Sequence, residues 1–371
     1  MNKLVRIFSL LLGVIIVFAI CFVCYLELGY YRIGDTNIDI ENNQELNINL
    51  SEEYSITTYN IGFGAYDREY SFFMDTGYMA DGSETVGKYG KGVSKENTLK
   101  NTNGSIDILK DLSSDFFILQ EVDTNSTRSY NINQKEMIVN TFVDYSYTFA
   151  SNFHSGFLPY PIHDMHGISN SGILTMSKYA MDYSKRYELP IDQSFLNKFF
   201  DLDRCINLVR YKITGTDKML TVISVHLSAY DEGGVYRKKQ IELLSGLMQE
   251  EYDKGNYVIV GGDFNHDIAE GGSSFPTTQL KPDWIQVLSG NEFGDNFRIV
   301  SDNQNPSCRD ADIPWTEGVT YATVVDGFII SDNIELVSVR NIISIKVNDG
   351  SFDTNFMYSD HNPVNMRFKF R

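Results

Sequence analysis

The stretch Tyr257-Val-Ile-Val-Gly-Gly-Asp-Phe-Asn265 decides how the rest of the chain is read. Its β-branched residues predict a central buried strand, Gly261 and Gly262 permit an abrupt turn, and Asp263 and Asn265 are then delivered at the strand's C-terminal edge. A carboxylate and an amide so placed can equally be a plain turn. What the other strands carry at their ends settles the choice.

Several other segments are punctuated in the same way. Ile56-Thr-Thr-Tyr-Asn60 ends in an amide, Phe116-Phe-Ile-Leu-Gln-Glu121 in a carboxylate and Val222-Ile-Ser-Val-His226 in an imidazole; Val324-Val-Asp326 carries an acid, and Tyr358-Ser-Asp-His361 precedes the final strand. Each has a local reading: Asn60 could cap a turn, Glu121 and Asp326 could be solvated strand ends, and Ser359-Asp-His361 could turn ahead of Pro363. Taken together they describe metal-assisted phosphoester hydrolysis. A hard oxygen site suits Mg²⁺ (or Mn²⁺), which keeps several waters and accepts one or two carboxylates beside substrate phosphate oxygens. Glu121 and Asp360 supply the carboxylates and Asn60 a neutral ligand. The attacking water needs a base and a five-coordinate phosphorus needs donors, roles open to Asp263, Asn265, His226 and His361. Arg204 and Arg309, each beside a cysteine, could contact a phosphate or close an internal ion pair.

The first residues differ from everything after them. Lys3 and Arg6 precede an uncharged apolar run from Ile7 to Leu26, long enough as a helix to cross a bilayer. A cleaved signal peptide competes with this reading, but the run is long for one and no convincing small-x-small site precedes Glu27. Basic residues before the run and acidic ones after it predict a single-pass cell-membrane protein with its catalytic part extracytoplasmic. The formal charge is −18, and −20 once Lys3 and Arg6 are set aside. That disfavours nucleic acid as a partner, since a duplex binder places Lys and Arg on phosphates and here only Lys88, Lys91, Lys95 and Lys100 are loosely grouped. Outside the apolar run, Cys205 and Cys308 can form one bridge or remain two buried thiols.

The domain plan follows: a cytoplasmic basic stub at 1–6, a transmembrane anchor at 7–26, a polar, Asn-rich tether leading into an entry strand at 27–53 and one catalytic domain at 54–371. Strands are predicted at Ser55–Tyr59, Phe116–Gln120, Tyr145–Ala150, Gly172–Met176, Asn207–Ile213, Leu220–Leu227, Tyr257–Gly261, Thr323–Ile330 and Val364–Phe370. Helices are predicted at Thr98–Asp111, Lys135–Val143 and Tyr236–Tyr252, the last with Ile241, Leu244, Leu247 and Met248 on one face. Mixed elements around one large core predict two packed sheets covered by helices. Residues 62–97, aromatic-rich and without periodicity, are expected to cover the site. His154, His163, His166 and His266 are expected to be surface loop residues.

In their order and wording, Asn60, Gln120-Glu121, His226-Leu227, Gly262-Asp-Phe-Asn265, Asp326-Gly-Phe328 and Ser359-Asp-His361 resemble the endonuclease/exonuclease/phosphatase superfamily, which includes deoxyribonucleases and neutral sphingomyelinases. The resemblance implies an α/β fold, a four-layer α/β/β/α sandwich, preceded here by the single transmembrane helix. It implies Glu121 as principal metal ligand with Asn60 and Asp360 beside it, Asp263 orienting or deprotonating the water, Asn265 on the phosphate, and Asp326 fixing the His361 tautomer. His226 matches members that use histidine there, and Asn170, just before a strand, matches a substrate-contacting position. The expected activity is hydrolysis of a phosphodiester or phosphomonoester by a monomer, with a phospholipid headgroup as in sphingomyelinases suggested by the anchor, the charge and the apolar stretch Phe195-Leu-Asn-Lys-Phe-Phe200. An extracellular nuclease acting on DNA or RNA is the alternative, and a binding module without catalysis the third.

Overall fold

Two sheets stacked face to face make the centre of the molecule, and the burial of their central strands on both faces shows why. The computed structural model describes residues 3–195, 197–199, 202–229, 234–347 and 350–371, so Met1, Asn2, Leu196 and Phe200 of the stretches read above lie outside the described residues. The chain lays down four strands of the first sheet, β1 (Glu53–Asn60), β2 (Phe116–Asp123), β3 (Ser146–His154) and β4 (Asn170–Ser177). It then builds the second sheet from β5 (Tyr183–Glu188), β6 (Cys205–Lys212), β7 (Met219–His226), β8 (Tyr257–Asp263), β9 (Phe297–Val300) and β10 (Asp326–Ser331). It returns to the first with β11 (Ile334–Asn341) and β12 (Val364–Phe370). The spatial orders are β11-β12-β1-β2-β4-β3 and, beyond an edge strand at Thr36–Asn37, β5-β6-β7-β8-β10-β9.

Each sheet holds one parallel pair, β1 with β2 and β7 with β8. A parallel pair needs a crossover, and helices α2 (Lys95–Leu112) and α4 (Val235–Asp253) supply it. Ser94 caps α2 by accepting from the Asn97 amide at 3.1 Å. On β2, Phe116 and Ile118 face the other sheet with Ile56, Ile259 and Phe328, while Phe117 and Leu119 face outward onto Ile106 and Leu109 of α2 and Ile138 of α3 (Gln134–Thr141). On β8, Ile259 faces inward and Val258 and Val260 meet Ile241, Leu244 and Met248 of α4. Each such fully buried side chain contributes about 1.5–3 kcal/mol. The result is the four-layer α/β/β/α sandwich.

Some details differ from the sequence reading. The strand expected at Thr323–Ile330 is broken into Ala322–Thr323 and β10, because the amides of Val324 and Val325 turn to the hydroxyls of Ser273 and Ser307. Cys205 and Cys308 are buried free thiols, not bridged. The segment expected to be a polar tether runs along the domain from Arg32 onward: Asn37 pairs with Lys185, Glu41 bridges Tyr147, and Ile48 is fully buried beside Tyr54. Ahead of it, α1 (Lys3–Gly29) is long and apolar enough to cross a membrane and is almost entirely exposed.

Candidate active site

The strand register brings the polar strand ends into line. In the second sheet His226 lies opposite Asp263 across the parallel pair, and Asp263 opposite Asp326, so the three ends share one row. In the first, Asn60 lies opposite Gln120. Gln120 is turned to Thr58 at 3.0 Å, and Glu121 leaves the ladder at a bulge with φ 54°. Gly262, at φ 150°, sits so near Val225 that a Cβ would come within 2.0 Å of its carbonyl oxygen; no other residue fits that strand end.

Asp263 is the hub. Its Oδ1 accepts from the Asn265 amide at 2.8 Å and its Oδ2 from Asn60 Nδ2 at 3.1 Å, with Nε2 of His226 and of His361 at 3.6 and 3.7 Å. Burial, opposed by His361, pushes its carboxyl up to about 6. His361 Nδ1 donates to Asp326 Oδ2 at 2.7 Å; burial is the largest influence and disfavours the charged ring, but the acidic groups around it, Asp326 first and then Cys308, Asp263 and Asp360, together hold His361 well above its ordinary value. Asp326 is fixed in turn by the Ser307 hydroxyl at 2.8 Å. Burial, and then Arg204, drive His226 well below its ordinary value. Cys308, 3.6 Å from His361 Nε2, is pushed up to about 12 by burial and stays a neutral thiol.

Glu121 and Asp360 face the same space, and the Glu121 charge, after burial, helps raise Asp360 to about 6. Two carboxylates facing one space, with Asp360 holding its proton more tightly for it and the charges of His361 and Arg309 set against that, suit a divalent ion with oxygen ligands. Asp263, Asp326 and His361 also bring ligand atoms within 4.8 Å of one another. There the 2.7 Å contact with Asp326 occupies His361 Nδ1, so Nε2 is the ring nitrogen that faces Asp263 and the cavity. Asn60 stands between the two sides of the site: its Oδ1 accepts from the Gly62 amide at 3.0 Å, and its Nδ2 bridges Asp263 and, at 3.3 Å, Glu121. Glu121 is steadied by a residue that the strand ends did not reveal. Arg128 is buried, clasped by Asp123 at 2.9 and 3.1 Å, lies 3.9 Å from Glu121 Oε2 and stacks on Phe63 at 3.9 Å. The sequence signal was Asp123, an acid on the buried end of β2 that required a cation.

Glu121, Arg128, His226, Asp263, Asp360 and His361 line a cavity of about 990 Å³, with Asn60 and Asp326 behind them. Tyr66, Phe72, Phe73, Met74 and Asp75 form one wall, so residues 62–97 are a packed side of the site rather than a loose cover. Arg204 lines the cavity and among the described residues has no carboxylate partner; its Nη1 reaches the His226 carbonyl at 3.4 Å and its buried Nε has no partner there. Arg309 also lines it, but its guanidinium donates to the carbonyls of Asp67, Tyr70, Asp310 and Ile313. Asn265 donates its side-chain amide to the Leu227 carbonyl at 2.7 Å, so its nitrogen is committed to the β7 end. Asn170 is not brought to the cavity: its amide donates to the Asn125 carbonyl at 2.8 Å and ties two loops together. Of the remaining histidines, His166 and His266 are buried, contrary to a surface role, His154 is partly covered and His163 is exposed.

The model of the Endonuclease/Exonuclease/phosphatase family matches residues 57–361. The chain belongs to that family. It is therefore a hydrolase acting on phosphoester bonds, and enzymes of the family depend on divalent metals. Among solved structures, an endonuclease/exonuclease/phosphatase from Beutenbergia cavernae aligns over 86% of this chain and 72% of its own, at 14% identity and TM-score 0.53. D. rerio TDP2 complexed with single strand DNA product aligns over 86% and 100%, at 13% and 0.52. The human Nocturnin catalytic domain with bound sulfate aligns over 90% and 97%, at 15% and 0.51. At these identities the likeness is one of fold. No curated protein matches the chain.

Proposed function

We propose that this chain is a membrane-anchored, extracytoplasmic, Mg²⁺- or Mn²⁺-dependent phosphoesterase, with α1 as its anchor and a monomer as its working form. The observation that carries the reading is the convergence of Asn60, His226 and His361 on one oxygen of Asp263, in a cavity that also holds a buried Arg204 with no carboxylate partner among the described residues. Asp263 orients the attacking water and takes its proton. His361, cationic, and Arg204 donate to the phosphate oxygens, and neutral His226 adds a further contact on that side. Glu121 and Asp360 would hold the metal, which supplies charge neutralisation at the phosphate when bound. Asn60 keeps Glu121 and Asp263 in register. Asn265, through its backbone amide, and Asp326 keep Asp263 and His361 aimed.

A polyanionic strand is disfavoured as substrate, because the cavity wall carries Asp75, Asp192, Asp283 and Asp310 and the net charge is −18. The test uses the full chain in detergent or vesicles. Bis-p-nitrophenyl phosphate, single-stranded DNA and phospholipid are offered with Mg²⁺ or Mn²⁺, and again with EDTA. Chelator-sensitive cleavage of the small ester or the lipid is expected. Failure to cleave any of the three refutes the reading, and preferential, salt-sensitive cleavage of DNA replaces it with the nuclease.

A further inference from the structure

The last turns of α1 are docked on the rim of the active-site cavity. Leu26 packs against Leu158 and Phe199, with Phe22 and Tyr30 alongside. The Tyr25 hydroxyl accepts from the Phe157 amide at 2.9 Å, and Lys198 pairs with Glu27 at 2.8 Å. Just beyond the helix Tyr31 stacks on His154 at 4.1 Å, and Arg32 is held by Asp203 at 2.7 Å and Glu188 at 3.0 Å. Leu158 itself lines the cavity. A helix fastened at so many points is no swivelling tether, so the level at which its apolar run ends is also the level of the cavity rim.

The loop at that rim is apolar and rigidly based. Leu158 and Gly167 pair through both amides at 3.0 Å, closing a tip of residues 159–166. Buried His166 pins the base to the Gly90 carbonyl at 2.7 Å. Asp164, the loop's one carboxylate, is turned back to the Gly90 amide at 2.9 Å and to Lys91. What the loop offers outward is Phe157, Tyr160, Ile162, Met165 and Ile168, with Ile162 79% and Tyr160 60% exposed; on the neighbouring segment Phe195 is 53% exposed. An apolar group of this kind marks a contact surface rather than random surface composition. Its occupant is set by continuity with α1, whose composition suits hydrocarbon and whose uncharged run ends in Leu26 against the loop's base. Tyr160 both lines the cavity and faces outward, so the same surface borders the site.

We propose that the loop 157–168, with Phe195, seats in the outer leaflet beside α1, so that the cavity opens on the bilayer surface and takes its phosphoester from a lipid headgroup there. The inference rests on the phosphoesterase reading above. Neither Ile162 nor Phe195 lines the cavity, so the double variant Ile162→Glu/Phe195→Glu is compared with the native full chain in vesicles of phosphatidylcholine and phosphatidylethanolamine with Mg²⁺. Headgroup release is expected to fall about tenfold or more, an effect of at least about 1.4 kcal/mol, while hydrolysis of soluble bis-p-nitrophenyl phosphate is unchanged. Equal headgroup release by native and variant protein overturns the proposal. So does native protein that cleaves the soluble ester but no vesicle lipid, in which case the phosphoesterase reading stands. Native protein that cleaves neither removes both. Independently, Ile162→Trp in vesicles of brominated lipid is expected to add fluorescence that the lipid quenches, and unquenched added fluorescence overturns the seating.

Discussion

His226 and His361 hold their Nε2 atoms 3.6 and 3.7 Å from one oxygen, Oδ2 of Asp263, and end in opposite protonation states. His226 has no acid on its other nitrogen, and burial together with Arg204 keeps it neutral. His361 has Asp326 at 2.7 Å on Nδ1 and remains cationic in spite of burial. Two buried imidazoles around one carboxylate thus divide the work: one is a neutral ring and the other a fixed cationic donor. Replacing Asp326 by Asn removes the charge that holds the His361 proton. Turnover is expected to fall by about 10²–10⁴-fold, a range typical of lost acid–base and orienting groups. The His361 ring signal, followed by NMR, should begin to titrate at lower pH; a ring still cationic at pH 8 in that variant would contradict the dyad.

Asp263 sets the acid side of the pH profile. Burial lifts its carboxyl to about 6, and only the ionised form can take a proton from water. Activity at saturating metal is therefore expected to be level above that pH and to fall about tenfold per unit below it. Asp263→Ala should abolish turnover while leaving the thermal unfolding midpoint close to native. A profile flat down to pH 4.5, or an active alanine variant, would remove Asp263 from the chemistry.

His166 gives a stability signature of known sign. Burial, reinforced by Arg128, lowers it to about 4, and its ring bridges the Gly90 carbonyl and the Ser169 hydroxyl in the neutral form. The folded pKa lies below the unfolded one, so the fold binds fewer protons. Its contribution is complete above about pH 6.5 and is lost as the pH falls towards 4, by about 3 kcal/mol in all. Asp263 and Asp360 act the other way, since raised carboxyl values favour the fold as the pH falls from 6 to the unfolded carboxylate range. The His166 effect must therefore be read as the difference in unfolding free energy between native protein and His166→Asn. That difference should shrink on acidification from pH 7 to 4.5; a constant difference refutes the assignment.

The order of strand-end residues made the sandwich and the hub legible in advance, because a parallel strand pair must present its C-terminal residues side by side. What the sequence did not disclose had local causes. Strand β5, Tyr183-Ser-Lys-Arg-Tyr-Glu188, reads as polar, yet Arg186 is buried through the carbonyl of Ser151 and the Asp203 carboxylate. Asn170 looked like a substrate contact from its place before β4, but the Asn125 carbonyl claims its amide. For Arg128 the sequence offered only the indirect signal of Asp123, because its role depends on an Asp–Arg clasp closed in space. The polar segment after α1 resembled a tether by composition, whereas its register against β5 and β3 is a matter of backbone pairing.

Glu121 tests the metal separately from the base. It is partly open to the cavity, and its geometry is steadied by Asn60 and Arg128 rather than consumed by them. Glu121→Gln keeps the shape and removes the charge, so the metal concentration for half-maximal activity should rise about tenfold or more, with partial recovery at high Mg²⁺ or Mn²⁺. An unshifted metal titration would place the ion elsewhere, the Asp263–Asp326–His361 cluster being the next position to examine.

The two cavity arginines should separate cleanly. Both leave a buried Nε without a partner, but Arg204, among the described residues, has no carboxylate partner and only one long hydrogen bond, to the His226 carbonyl, a costly arrangement unless an anion completes it. Arg309 already donates to four backbone carbonyls that join the 62–97 wall to the 308–313 segment. Arg204→Gln is therefore expected to lower kcat/KM by about 10²-fold and to cost little stability, because removing an unpaired buried charge relieves desolvation. Arg309→Gln is expected to lower stability by about 2–4 kcal/mol as those carbonyls lose their donor. Activity per folded molecule should be far less affected than in the Arg204 variant. Steady-state kinetics and urea unfolding on both variants make the comparison; if Arg204→Gln proves to be the stability variant and Arg309→Gln the kinetic one, the phosphate contact belongs to Arg309.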